Sequence, residues 1–240
     1  MPETKPPLLA VLIDADNIPA RHAEPILKEI TSFGEPALRR VYGDWSSDRL
    51  KPWAEKVLAL GMVAHQETAN TKGKNASDIG LVIDAMDILH SGRFDGFVLV
   101  SSDSDFTRLA SRIREEGLDV IGIGEAKTPV SLRNVCNRFV LVENIVEEPA
   151  QGAVRDRAQP AAEGKRPVHE VSELIIRAMD KINQEDEWFT LGQIGQFITA
   201  DSPDFDTRSY GKRKLSDLVR DLKRFETKRV GNQLLVRRLD

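Results

Sequence analysis

Four aspartates border apolar runs in this chain. Asp14 closes Leu8-Leu-Ala-Val-Leu-Ile13, Asp103 and Asp105 follow Phe97-Val-Leu-Val-Ser-Ser102, and Asp78 opens the apolar stretch from Ile79 to Leu89. One carboxylate beside a helix start is cheap, because the free N–H groups there favour an anion. Several packed together repel and raise one another's pKa. A divalent cation removes that repulsion: Mg²⁺ or Mn²⁺ takes oxygen ligands, and its charge can activate a water and polarise a phosphodiester. The chemistry these residues suit is metal-assisted phosphodiester hydrolysis, with water as nucleophile and no covalent intermediate.

For that chemistry the acids must meet, which depends on the elements that carry them. A short apolar run bounded by polar residues reads as a strand buried on both faces, the mark of a central strand in a parallel sheet. Its carboxylates then sit at the C-terminal edge, where ligands bind near the reversal of strand order. The pattern predicts a helix from Pro19 to near Gly34 with Pro19 at its first position, a strand over 38–43, a helix over 50–60 and a strand over 62–65. A polar loop, Asn70 to Asp78, feeds a helix from about Ser77 to His90, with Ile79, Val82, Ile83, Met86 and Leu89 as its buried stripe. A strand over 94–100, a helix over 106–116, a strand over 118–123, a short helix over 130–136 and a strand over 139–142 complete the series. Strands alternating with helices mean βαβ units: an α/β fold with a mainly parallel sheet sandwiched by helices and right-handed crossovers.

That domain ends near Glu147; residues 148–167 have no periodicity and read as a flexible linker. Residues 168–240 change character. They read as helices over 171–182, 190–199 and 209–225 and a hairpin over 227–238 around Gly231-Asn232, a small winged-helix-like α+β domain. The charge divides likewise: residues 1–147 carry 17 basic and 22 acidic side chains, a balance of −5, whereas the chain beyond Asp206 carries 11 basic and 4 acidic, a balance of +7. Carboxylates for a cation and basic residues for a polyanion are different jobs. The single cysteine, Cys136, excludes a disulfide framework and a cysteine-rich zinc site, and suits a reducing compartment. No apolar run approaches a membrane span and the Pro-rich start lacks a signal peptide's core, so no membrane partner and a cytoplasmic location are expected.

Three segments, Ile13-Asp-Ala-Asp-Asn-Ile18, Lys74-Asn-Ala-Ser-Asp-Ile-Gly-Leu-Val-Ile-Asp84 and Val100-Ser-Ser-Asp-Ser-Asp-Phe106, resemble in order and spacing the NYN (LabA-like) domain of the PIN-like nuclease superfamily over roughly residues 8–145. The resemblance implies a PIN-like (Rossmannoid) sheet and a ribonuclease whose metal centre is Asp14, Asp78, Asp103 and Asp105. It implies that Asn17 orients the first acid and that Lys74 and Ser102 flank the substrate phosphate; Asp16 is an extra acid at a position the family often fills otherwise. Phe189-Thr-Leu-Gly-Gln-Ile-Gly-Gln-Phe197 and Tyr210-Gly-Lys-Arg-Lys-Leu-Ser-Asp-Leu-Val-Arg-Asp-Leu222 resemble a LOTUS, or OST-HTH, domain, a family associated with RNA, including G-rich RNA. Tyr210, Lys212, Arg213 and Lys214 put an aromatic and three cations at a helix start, suited to stacking and phosphate contact. The expected partners are single-stranded or G-rich RNA and a second copy of the chain as a homodimer.

Blander readings stand beside these. A lone surface aspartate is more often a helix cap, and Asp84 and Asp87 read as surface acids or ion-pair partners. His22, His65, His90 and His169 share no ligand spacing, Cys136 reads as a small buried hydrophobe, and Trp45 and Trp53 as core or rim residues. Asp14-Ala-Asp16 also matches the nucleophile and acid of haloacid-dehalogenase-type phosphatases, with Ser101 or Ser102 as their second motif, although few residues are left for the insertions that chemistry needs. A front domain that holds RNA or a protein without cutting is the remaining alternative.

Overall fold

The computed structural model describes residues 5–66, 76–146, 166–182 and 186–239. The chain divides into two compact units, residues 1–147 and 148–240. The stretch read as a linker lies almost wholly outside the described residues.

The first unit runs β1 (Leu8–Asp14), α1 (Ala23–Ile30), β2 (Glu35–Gly43), α2 (Lys51–Ala59), β3 (Val63–Gln66), α3 (Ala76–His90), β4 (Gly96–Val100), α4 (Thr107–Glu115), β5 (Asp119–Gly124), α5 (Val130–Val135), β6 (Arg138–Leu141) and α6 (Val142–Ile145). The strands form one sheet in the order β3-β2-β1-β4-β5-β6, every neighbouring pair parallel. Strand order therefore reverses between β1 and β4, and the acidic tips of those two strands flank the reversal.

Side chains alternate across a strand, and β1 shows why its run is apolar throughout. Leu9, Val11 and Ile13 pack with Ile26 and Ile30 of α1 and Trp53 and Val57 of α2. Ala10 and Leu12 pack on the other face with Leu81, Ala85 and Ile88 of α3 and Leu109 and Ile113 of α4. Each fully buried Leu, Ile or Val contributes roughly 1.5–3 kcal/mol, so neither face tolerates a polar residue until the strand ends. Counting on by two from Leu12 puts Asp14 on the α3 and α4 face.

Glycines let the tips close up. A Cβ at Gly124, the last residue of β5, would lie 2.6 Å from Thr128 Oγ1 and 2.7 Å from the Ser101 carbonyl oxygen. Gly124→Ala is therefore expected to cost about 1–3 kcal/mol in urea denaturation. Because the backbone it pushes belongs to Ser101, it should also disturb the tip of β4.

Several boundaries differ from the sequence reading, each for a local reason. Pro19 caps a short 3-10 turn, Ala20–His22, ahead of α1 rather than opening the helix itself. The second strand begins at Glu35, whose N–H donates to the Pro7 carbonyl at 2.8 Å. Val142 starts α6 instead of ending the last strand. The stripe expected for α3 is wrong in part: Ile79 and Ile83 are 61% and 59% exposed, while Leu81, Ala85, Ile88 and Leu89 are buried. Asp84 of α3 accepts hydrogen bonds from Arg40 and from the Tyr42 hydroxyl of β2, which turns the helix to that face.

The second unit runs α7 (His169–Ile182), β7 (Phe189–Thr190), α8 (Leu191–Asp201), a 3-10 turn (Thr207–Tyr210), α9 (Leu215–Asp221), β8 (Phe225–Val230) and β9 (Gln233–Arg238). Its three strands pair antiparallel in the order β7-β9-β8. Thr190 caps α8 in a capping box with Gln193, which satisfies N–H groups the first turn leaves bare. The hairpin turns on Gly231-Asn232 with Gly231 at φ +58°, as the two-residue loop requires. The helix expected over 209–225 is shorter: Gly211 sits at φ +76°, a left-handed conformation that breaks it, and α9 starts only at Leu215. A separate core, including Val171, Ile175, Ile194, Ile198, Leu218 and Val236, fills this unit.

Candidate metal centre

The two strand tips build the site. Ile13 of β1 lies opposite Val100 of β4 in register, so Asp14 and Ser101 are the next residues on neighbouring strands. Ser101 Oγ donates to Asp14 Oδ2 at 2.9 Å and Asn17 Nδ2 donates to the same oxygen at 2.7 Å, while Oδ1 accepts the Asp16 N–H at 3.1 Å. Asp14 is 1% exposed. Burial pushes its carboxyl above the ordinary 3.8, and the bonds from Asn17 and Ser101 pull the other way. Asn17 thus fixes the Asp14 carboxylate through its side-chain amide.

After β4 the chain makes a tight turn. The Asp103 N–H donates to Ser101 Oγ at 3.1 Å, and Asp103 Oδ1 accepts the Asp105 N–H at 2.9 Å, capping the short 3-10 turn Ser104–Phe106. Asp78, on the first turn of α3, completes the cluster: one carboxylate oxygen from each of Asp78, Asp103 and Asp105 lies within 4.8 Å of the other two. Asp14 stands outside this trio. Burial, then the charges of Asp14, Asp103, Asp105 and Asp16, raise the Asp78 carboxyl to about 6.

That shift bears on stability. With the folded pKa above the ordinary 3.8, the folded chain holds more protons than the unfolded chain between about pH 4 and 6. The contribution of the neutral form is present at low pH and lost as pH rises through about 6. A shift of this size is worth about 3 kcal/mol for a fully buried group, and solvent screening of a half-buried one reduces it to about 1 kcal/mol. Asp78→Asn should therefore stabilise the metal-free protein by about 1 kcal/mol at pH 7.5 and hardly at all at pH 4.5, read by urea denaturation at both pH values.

The other expected site residues fall out differently. Ser102 is 7% exposed and its Oγ accepts the Glu125 N–H at 2.9 Å, so it braces the β5 loop rather than facing a substrate. Ser101, which the sequence reading used only for a phosphatase, touches Asp14 instead; counting by twos from Leu99 would have placed it on the face of Leu12 and Asp14. Asp16 is ion-paired with Arg49 at 2.5 Å. Lys74 lies outside the described residues. Asp14, sealed in the protein with its oxygens taken, offers nothing on which a phosphoryl group could form, which argues against the phosphatase reading.

In the second unit, Tyr210 is not the stacking surface expected of it. It is 5% exposed, with its ring centroid 5.9 Å from that of Phe205 and its hydroxyl bonded to Arg166. Lys212 pairs with Asp221 at 2.5 Å. Arg213 and Lys214 are exposed just ahead of α9. On the hairpin, Lys228 Nζ lies 3.8 Å from the centre of the Trp188 ring, and the Arg237 guanidinium 4.9 Å from it.

A six-stranded parallel sheet with acids gathered at its switch point defines an α/β protein of the PIN-like class. The chain belongs to the NYN domain family, whose profile matches residues 8–143, and an OST-HTH/LOTUS domain profile matches residues 165–236. NYN domains are PIN-like, a nuclease superfamily that acts on nucleic acids, and the OST-HTH domain suggests RNA binding. No curated protein matches the chain. Among solved structures, a protein of unknown function from Vibrio parahaemolyticus is similar at 21% identity over 60% of this chain and 98% of that one, with a TM-score of 0.51, and shares the fold. An uncharacterized Nitrosomonas europaea protein shares 29% identity over 39% of this chain and 93% of that one, with a TM-score of 0.26. No helix among the described residues is long and apolar enough to cross a membrane.

Proposed function

We propose that the chain is a metal-dependent ribonuclease that hydrolyses phosphodiester bonds of single-stranded RNA, with the second unit holding the RNA. The observation that supports this is the trio Asp78, Asp103 and Asp105, brought within 4.8 Å. Three hard oxygen donors, one of them on a carboxyl raised by burial and by its acidic neighbours, fit a Mg²⁺ or Mn²⁺ ion, which those three residues would hold. Bound there, the ion would supply the charge that activates water and polarises the phosphodiester.

The chain's own residues do the rest. Asp14, gripped by Asn17 and Ser101, is held where its charge acts on Asp78. The Asp103 cap on the Asp105 N–H holds those two acids at a set spacing. All four aspartates come from one chain, so a second copy is not needed to complete the centre. Exposed Arg213 and Lys214 and the cations of the hairpin would contact phosphates.

A labelled pool of single-stranded RNA, mixed-sequence and G-rich, incubated with the protein in Mn²⁺, Mg²⁺ or EDTA tests the reading. Shortening with a divalent ion and none in EDTA is expected. RNA that is bound but stays intact in every condition would leave a non-cleaving adaptor in its place.

A further inference from the structure

The turn after β1 opens into a pocket of about 390 Å³ that the hydrolysis above does not use. Asp16, Asn17, Pro19 and Arg21 line it from the segment between β1 and α1, Arg49 from the short 3-10 turn Asp48–Leu50 ahead of α2, and Pro52 from the first turn of α2. It borders the acidic centre: Asn17 in its lining holds Asp14, and the charge of Asp16, also in its lining, acts on Asp78. Leu50 and Trp53 also line it; both are almost fully buried, and Trp53 is pinned by a 2.8 Å bond from its indole N–H to the Ile18 carbonyl. Gly43 permits this close packing, since a Cβ there would come 2.5 Å from Leu50 Cδ1.

The charge is what marks the pocket. The first 147 residues carry a balance of −5, yet this lining holds two arginines and one acid, Asp16. Arg49 already grips a carboxylate, its Nη2 lying 2.5 Å from Asp16 Oδ1, and its side chain is 68% exposed. An exposed ion pair contributes only about 0–1 kcal/mol. A guanidinium suits a phosphate at least as well, through two parallel hydrogen bonds. Exchanging Asp16 for a phosphate therefore costs Arg49 little. Cations above an apolar lining, in a space this size, suit a phosphate joined to a flat base.

We propose that this pocket is the subsite for the nucleotide next to the scissile phosphate, with Arg49 and Arg21 taking its phosphate and the Pro19 and Pro52 rings its base. The inference rests on the ribonuclease reading, but its binding half is testable without cleavage. The full-length Asp103→Asn chain with Mn²⁺ is irradiated with single-stranded RNA carrying 4-thiouridine, and the cross-linked peptides are mapped by mass spectrometry. Cross-links within residues 15–21 or 49–53 are expected, falling by about tenfold when Arg49→Glu is added, the worth of one charge-assisted contact. In the cleaving chain, Arg49→Ala should raise KM by about tenfold and change kcat far less. Cross-links confined to residues 166–239, together with an unchanged KM for Arg49→Ala, would overturn the subsite while leaving the nuclease intact. Pocket cross-links lost on Arg49→Glu in a protein that cuts no RNA would sink the nuclease and keep a nucleotide-binding pocket.

Discussion

An Asp103→Asn chain should bind single-stranded RNA as tightly as the parent and cut it at least about a thousandfold more slowly, a loss of roughly 4 kcal/mol of transition-state stabilisation. The substitution keeps shape and removes charge. Asn can still accept the Asp105 N–H that Asp103 Oδ1 accepts at 2.9 Å, so the turn survives while one of three close carboxylates becomes neutral. The affinity for Mn²⁺ should fall with the rate, as titration calorimetry would register. The Asp78 pKa, raised to about 6 by burial and then by the neighbouring charges, should fall as the Asp103 charge is removed. Wild-type cleavage by Asp103→Asn would mean that this cluster is not the catalytic centre, whatever else it binds.

Removal of residues 168–240 should have the opposite effect: RNA affinity drops by about a hundredfold or more, while the rate at saturating RNA changes little. The two units have separate cores, one set between Leu9 and Val142 and the other between Val171 and Val236, so the shortened chain should fold. Its balance of −4, from 21 basic and 25 acidic side chains over residues 1–167, would repel a polyanion that the basic tail beyond Asp206 otherwise holds nearby. The full chain's affinity should fall steeply with salt, because lysines and arginines displace counterions from phosphate. Fluorescence anisotropy with one labelled RNA, at two salt concentrations, compares the two proteins. Equal affinities would show that the second unit is not what brings RNA to the acids.

The fold was readable where one physical cause ruled the sequence. β1 has to be apolar on both faces because α1 and α2 cover one and α3 and α4 the other, and no other element fits such a run. The facing of α3 was not readable. Ile79, Leu81, Val82, Ile83, Ala85, Met86, Ile88 and Leu89 surround the helix with apolar residues, so periodicity had no polar side to find. A long-range bond, Asp84 to Arg40 and Tyr42, decided the matter. The acids themselves were legible as types and spacings, but their depth was not. Asp14 and Asp78 both border apolar runs, yet one is sealed beneath Asn17 and Ser101 and the other stands in the cluster. Tyr210 misled for a similar reason: beside Gly211 and three cations it looks exposed, and only the packing against Phe205 shows that it is core.

The strand order has a consequence for how the protein is made. β1 leaves the ribosome well before one of its neighbours, β4, which follows more than eighty residues later, and Asp14 meets the Ser101 hydroxyl across a separation of 87 positions. Until that neighbour emerges, β1 has an open edge, which invites pairing with other chains, and contacts so distant form slowly. Two of the three clustered acids, Asp103 and Asp105, follow β4. Until β4 and the turn after it have emerged, a nascent chain therefore holds only one of the three clustered acids, Asp78.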